Sequence, residues 1–401
     1  MPYTPPKIIL ERYADVFINF ALNSGKGIKK GDVVLLQVPE CAKPLYVALR
    51  NAVIKAGGTV ISHYMPDGVA REYYELANHA QLNAFHGTYL RGLIDEIDHS
   101  LYVIAETDMH ELEGIDPRKI MTRSRAHKPY MEWRDAKEGK GRFTWTLGLY
   151  GTEAMAAEAH MGVEEYWQQI IHACFLGEKD PKRSWRKVMS TIERWKRRLN
   201  ALRIESLHVE GYNIDLTVGV GPGRGWMGGS GRNIPSFELF TSPDCRTTEG
   251  TIAFNQPLYR YGSFIENIRL WFKKGEVVKA TASKNEKLLR GMLATDTGAR
   301  RLGEFSLTHK KLSRITRFMA ETLYDENMGG EWGNMHVAVG KAYKDAYPGN
   351  QARVTKAQWK KMGYNESAIH TDMITTTKRT VTATLKGGKK KIIYKDGEFT
   401  I

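Results

Sequence analysis

"GDVVLLQVPECAKPLYVALRNAVIKAGGTVISHYM" (residues 31–65) decides the architecture of the first part of the chain. Its opening, "GDVVLLQVP" (31–39), is a near-continuous apolar run, the pattern of a strand covered on both faces. "KPLYVALRNAVIKAGG" (43–58) reads as a helix stopped by paired glycines, and "TVISHYM" (59–65) as the next strand. Strand, helix and strand in succession make a βαβ unit, whose two strands run parallel. With "LYVIAETD" (101–108) as a later strand, residues 1–120 are expected to form an open, mostly parallel α/β domain. The loop "VPECAKP" has neither GxGxxG nor GxxxxGK, so nothing supports phosphate cradling there.

Downstream the texture changes twice. Residues 121–200 are expected to form a helical connecting segment, because "EAMAAEAHMGVEEYWQQIIHACF" is rich in helix formers. In "DPKRSWRKVMSTIERWKRRLN" (180–200), Trp185, Val188, Ile192, Trp195 and Leu199 recur at helical spacing and leave a basic, solvated face. Residues 201–401 are β-rich and glycine-punctuated, and "LKGGKKKIIYKDGEFTI" reads as a hairpin turning at Gly387 and Gly388, with a further turn at Asp396-Gly397. Its lysines suit protection of an exposed strand edge. The fold class expected is α/β plus α+β: an amino-terminal parallel lobe, the helical segment and a β-rich carboxyl-terminal lobe.

Composition narrows the function. Of 401 residues, 42% are hydrophobic and 26% charged, which is ordinary globular usage. No stretch reaches the ~18 apolar residues of a membrane span and the start lacks a signal pattern, so a cytoplasmic protein is expected. The three cysteines, Cys41, Cys174 and Cys245, have no CxxC spacing, so any metal must use nitrogen and oxygen ligands. No GxSxG occurs. The net charge of +14 keeps a basic RNA-binding protein as an alternative, although nucleic acid is the less expected partner.

Ligand-type residues gather in the last lobe. In "SAIHTDMI" (367–374), strand alternation puts His370 and Asp372 on one face. Glu238 stands between Phe237 and Leu239, and Glu304 opens the apolar run of "GEFSLTH". "NMHVAVGKAYKDAY" is expected to be helical, with His336, Gly340 and Tyr343 at i, i+4 and i+7 on one face. Two histidines, two glutamates, an aspartate and a tyrosine suit zinc, cobalt or manganese, and so many groups suit a pair of ions better than one.

These residues lie in "KKGDVVLLQV", "LYGTEAMAAEAHMGVEEYW", "GRNIPSFELFTSPDCRTTEG", "DTGARRLGEFSLTH", "LYDENMGGEWGNMHVAVGKAY" and "SAIHTDMI". In that order they resemble the dinuclear metalloaminopeptidases of the aminopeptidase T and aminopeptidase S kind, over most of the chain. The resemblance implies that Glu238, Glu304, His336, Tyr343, His370 and Asp372 surround two divalent ions. It also implies a two-lobed homodimer acting on peptides with a free amino terminus. Glu249, in "TTEG", competes with Glu238 as first ligand or serves beside Glu304 as general base, and Tyr343 ligates or donates to an oxyanion. A metal hydrolase of another amide or ester is the remaining alternative, kept open by Phe237 and the "GGEWGN" before His336.

Overall fold

The computed structural model describes residues 3–221 and 223–401. In chain order its strands are β1 (Val33–Pro39), β2 (Thr59–Met65), β3 (His99–Ile104), β4 (Thr144–Leu149), β5 (Ile204–Gly211), β6 (Ile214–Gly219), β7 (Asn233–Ile234), β8 (Glu238–Thr241), β9 (Glu249–Ala253) and β10 (Leu258–Arg260). They continue with β11 (Ser263–Ile265), β12 (Arg269–Lys273), β13 (Glu276–Thr281), β14 (Leu302–Thr308), β15 (Asn334–Gly340), β16 (His370–Thr375), β17 (Arg379–Leu385), β18 (Lys390–Lys395) and β19 (Glu398–Phe399). Two compact units result. The first holds Met1–Met189, Gly229–Ser236 and Phe318–Leu323, and the second Ser190–Gly228, Phe237–Arg317 and Tyr324–Ile401.

The first unit is built on a parallel sheet ordered β2-β1-β3-β4-β7. The helix linking its first two strands, Lys43–Lys55, begins with a proline in its first turn, where no amide hydrogen is needed, and ends before Gly57 at φ 84°. Leu35 packs with Leu93, Ile94, Ile97 and Phe143 under the sheet. The expected βαβ unit and parallel sheet are present. The stretch expected to be mainly helical, 121–200, also supplies β4, whose "TWTLGL" carries the aromatic and β-branched residues that favour strands. Its last helix, Pro181–Ala201, buries Trp185, Val188, Ile192 and Leu199 as the spacing requires.

The second unit contains an eight-stranded antiparallel sheet ordered β13-β12-β9-β6-β5-β17-β18-β19 and a four-stranded one ordered β16-β15-β14-β8. The β17–β18 hairpin turns at Gly387 and Gly388 as expected. One expectation is overturned: "NMHVAVG" is not helical but forms β15, an inner strand of the four-stranded sheet. Every residue of β15 is buried, so its apolar run has no wet face to reveal the period. Gly340 ends it at φ 104°, where a β-carbon would stand 2.1 Å from the Ile369 carbonyl oxygen. That close approach of β16 excludes any side chain.

Candidate metal centre

The register of the four-stranded sheet builds the site. Residues directly opposite share a face, and the pairs are Glu238–Thr308, Phe240–Ser306, Ser306–His336, Glu304–Ala338, Ala338–Asp372 and Gly340–His370. Glu238, Glu304, His336, His370 and Asp372 therefore all project from one side, each from a different position on four adjacent strands. Leu239, Phe305, Leu307, Met335, Val337 and Met373 turn to the other side and are buried, which fixes the register. A slip by one residue in any strand would send its ligand-type group into that apolar layer.

The donors meet closely. His336 Nε2 lies 3.3 Å from Glu238 Oε2, 3.5 Å from Glu304 Oε1 and 3.9 Å from Asp372 Oδ1. His370 Nε2 lies 3.4 Å from Glu304 Oε2 and 3.4 Å from Asp372 Oδ1. Glu304 thus offers one oxygen to each imidazole. Glu238, Glu304 and His336 are only 7%, 3% and 1% exposed. Ser306 donates a 2.8 Å hydrogen bond to Glu238 Oε2 and orients that carboxylate.

Each imidazole is anchored at its other nitrogen. Nδ1 of His370 donates to the Lys341 carbonyl at 2.7 Å, and Nδ1 of His336 faces the Glu326 carbonyl at 3.3 Å. This sets the tautomer that leaves Nε2 free to bind a cation.

Tyr343 follows β15, with its ring 4.8 Å from that of His370 and 5.8 Å from that of Phe240. Its backbone amide is held by Ser242 Oγ at 3.0 Å. Glu249 is placed elsewhere: it sits exposed on β9 of the eight-stranded sheet, opposite Thr217, and accepts from the Lys274 amide at 2.8 Å. Ten residues of chain separate it from Glu238, enough for a turn that carries it to another sheet. The structure therefore brings five of the expected ligands together, keeps Tyr343 beside them and leaves Glu249 apart.

Sequence reasoning missed Glu326. It is buried, and its carboxylate comes within 4.8 Å of ligand atoms of His336 and Asp372. The loop carrying it is pinned from three sides. Asn334 donates to the Asp325 carbonyl at 2.7 Å, Asn327 Oδ1 accepts from the Phe237 amide at 2.7 Å, and buried Arg379 donates to the Gly333 carbonyl at 2.8 Å. Its only signal was an acid within "LYDENM", where Asp325 beside it was as good a candidate.

Charge explains what such a cluster needs. Burial works against charged imidazole, yet the hydrogen bonds it donates to the Glu238 and Glu304 carboxylates hold the proton affinity of His336 well above its ordinary value. Burial likewise opposes charge on His370, and the Asp372 carboxylate outweighs it in the same upward direction. Burial raises Asp372, but the positive charge of His370 overrides this and brings it to about 2. Glu326 is pushed well above the usual carboxylate range by burial, then by Asp372 and Glu238. Four carboxylates and two imidazoles so packed are short of positive charge, a deficit that divalent cations held by these residues would offset.

The spacing fits ions as well. Two ligands bound tetrahedrally at about 2.1 Å from one ion stand about 3.4 Å apart, close to the separations around His336 and His370. Direct charge-assisted hydrogen bonds would be shorter, at about 2.7–2.9 Å. Three overlapping groups have the composition of a cation site: Glu238, Glu304 and His336; Glu304, His370 and Asp372; Glu326, His336 and Asp372.

Comparison with known proteins agrees in sequence and in fold. Aminopeptidase T of Thermus thermophilus is 28% identical over 98% of each chain, and aminopeptidase PepS of Streptococcus thermophilus is 26% identical over 98% of each. The solved structure of wild-type AmpT from Thermus thermophilus superposes with a TM-score of 0.82 at 27% identity, covering 98% of this chain and all of that one. Residues 7–399 match the family described as thermophilic metalloprotease (M29). With that match spanning nearly its whole length, and an oxygen- and imidazole-rich donor set at its centre, the chain belongs to the M29 thermophilic metalloprotease family.

Proposed function

We propose that this protein is an aminopeptidase that releases the amino-terminal residue of peptides with the aid of two divalent ions, zinc, cobalt or manganese. The observation that carries the reading is Glu304, whose two oxygens face different histidines. The donors then divide into one pocket of Glu238, Glu304 and His336 and another of Glu304, His370 and Asp372, sharing Glu304 between them. When bound, such ions supply Lewis acidity, easing deprotonation of water and polarising a carbonyl.

The chain's own groups do the rest. The excess of carboxylates favours a cationic substrate end, so a free α-amino group is drawn in and an acylated one is not. Glu326, buried beside His336 and Asp372, is placed to take the proton from water and return it to the leaving amine. Tyr343, whose ring lies tilted 4.8 Å from that of His370, would ligate or donate to the oxygen that gains charge. The names of the relatives support the reaction class, since aminopeptidase T and PepS are both described as aminopeptidases. A homodimer and a cytoplasmic location belong to the same proposal; no helix among the described residues is long and apolar enough to cross a membrane.

The test is metal analysis joined to turnover of leucine p-nitroanilide and its N-acetyl derivative. Two ions per chain, loss of turnover on chelation with recovery on re-addition, and refusal of the acetylated compound are the expected results. Turnover that survives exhaustive chelation, or equal cleavage of both compounds, overturns the proposal.

A further inference from the structure

Beside the metal centre stands a cation that the reaction just described does not use. Arg260 ends β10, and the register Arg260–Ser263 leaves a two-residue turn, Tyr261-Gly262, with φ values of 51° and 72°. Such a turn is the tightest hairpin connection and holds the flanking residue rigidly. It places Arg260 against β16, the strand that carries His370 and Asp372. One guanidinium nitrogen reaches the backbone carbonyl of His370 at 3.4 Å, a long contact. The guanidinium also lies over the Tyr261 ring, 5.1 Å from its centre. Its Nε is buried with no hydrogen-bond partner, and no carboxylate pairs with it among the described residues. The Asp372 carboxylate nevertheless feels its charge.

An arginine has five donors in a fork that matches a carboxylate, and leaving buried donors unmet is costly. Here one donor makes a weak contact and another makes none. The surroundings sharpen the point. With two divalent ions offsetting Glu238, Glu304, Glu326 and Asp372, an anionic substrate end is drawn to a further positive group that stands beside the centre. Arg260 is such a group, fixed at the edge of the strand that bears two of the ligands.

We propose that Arg260 binds the free α-carboxylate of a short peptide and so makes the enzyme selective for dipeptides and tripeptides over longer or carboxyl-blocked chains. This rests on the aminopeptidase reading for its substrate class. Arg260 then determines specificity, and an arginine that merely pinned the β16 edge to the hairpin would show no preference for a charged substrate end.

The experiment uses the metal-loaded protein with leucylglycine and leucylglycinamide, and with analogues of both in which CH2–NH replaces the scissile amide. Calorimetry on the uncleavable pair reads recognition without turnover. The expected result is at least tenfold tighter binding of the free acid by the wild type. That ratio falls to near one in Arg260→Met and is partly kept in Arg260→Lys, with the loss appearing in KM rather than kcat for leucylglycine. A ratio near one in the wild type, or a ratio untouched by Arg260→Met, overturns the proposal. Acid-selective binding that depends on Arg260 in a protein that cleaves neither peptide upholds it and sinks the aminopeptidase reading instead.

Discussion

The parallel sheet of the first unit and the four-stranded sheet of the second spend buried strands in opposite ways. β1 fills its interior with Val34, Leu35 and Leu36, all fully buried, and derives its stability from apolar burial. β14 and β15 are just as enclosed, yet each gives one interior position to an ionisable side chain, Glu304 and His336. The difference teaches that the second sheet is not optimised as a bare fold. Replacing buried ionic groups by apolar ones of similar size is often neutral or stabilising, so groups of this kind signal a requirement other than stability.

The contrast breaks most sharply on activity. Glu304→Ala is expected to lower turnover by about 10²–10⁴-fold and to reduce the bound metal measured by elemental analysis, because both pockets share that carboxylate. Leu36→Ala, in the first sheet, is expected to cost about 2–5 kcal/mol in denaturant unfolding while leaving the metal content of the folded protein as it was. Parity of the two variants in metal content would dissolve the comparison.

A middle-sized effect concerns Asn327, whose side chain accepts the Phe237 amide next to Glu238. Asn327→Ala leaves that amide without its partner. A loss of about 1–3 kcal/mol is expected, with weakened metal affinity read by competition with a chromophoric chelator.

The dependence on pH sharpens the contrast further in metal-free protein. His336 and His370 have raised proton affinities when folded, so the stability they contribute is present below their ordinary range near 6.5 and lost as pH rises through the folded values. Asp372, lowered to about 2 from 3.8, contributes stability above its ordinary value that is lost as pH falls through about 2. The melting temperature of chelated protein is therefore expected to be lower at pH 10 than at pH 6, and metal loading to remove most of that alkaline decline. The smallest effect belongs to Glu249→Gln, where metal content should be unchanged and stability should move by no more than about 0.5 kcal/mol, as for other exposed positions.

How far the sequence could be read follows the same divide. β1, β2 and the helix between them were legible because continuous apolarity and glycine stops act locally. The pairing of His370 with Asp372 was legible too, since period-two alternation needs no neighbour. β15 was not: enclosed on both faces, it offers no polar side to mark its period, and the spacing of His336, Gly340 and Tyr343 matched a helix by coincidence. Glu326 escaped because its place is made by distant partners, Asn334, Arg379 and the Phe237 amide, that no local pattern announces. Glu249 misled for the inverse reason, standing near Glu238 in the chain but on another sheet.

The shared face of β8, β14, β15 and β16 has one more consequence. Five of the candidate ligand side chains hang from a single ladder of backbone hydrogen bonds, so none is released by the fraying of a loop. Heating should then retain the ions until the ladder itself parts, and departure of metal and melting of that sheet should be recorded as one cooperative event.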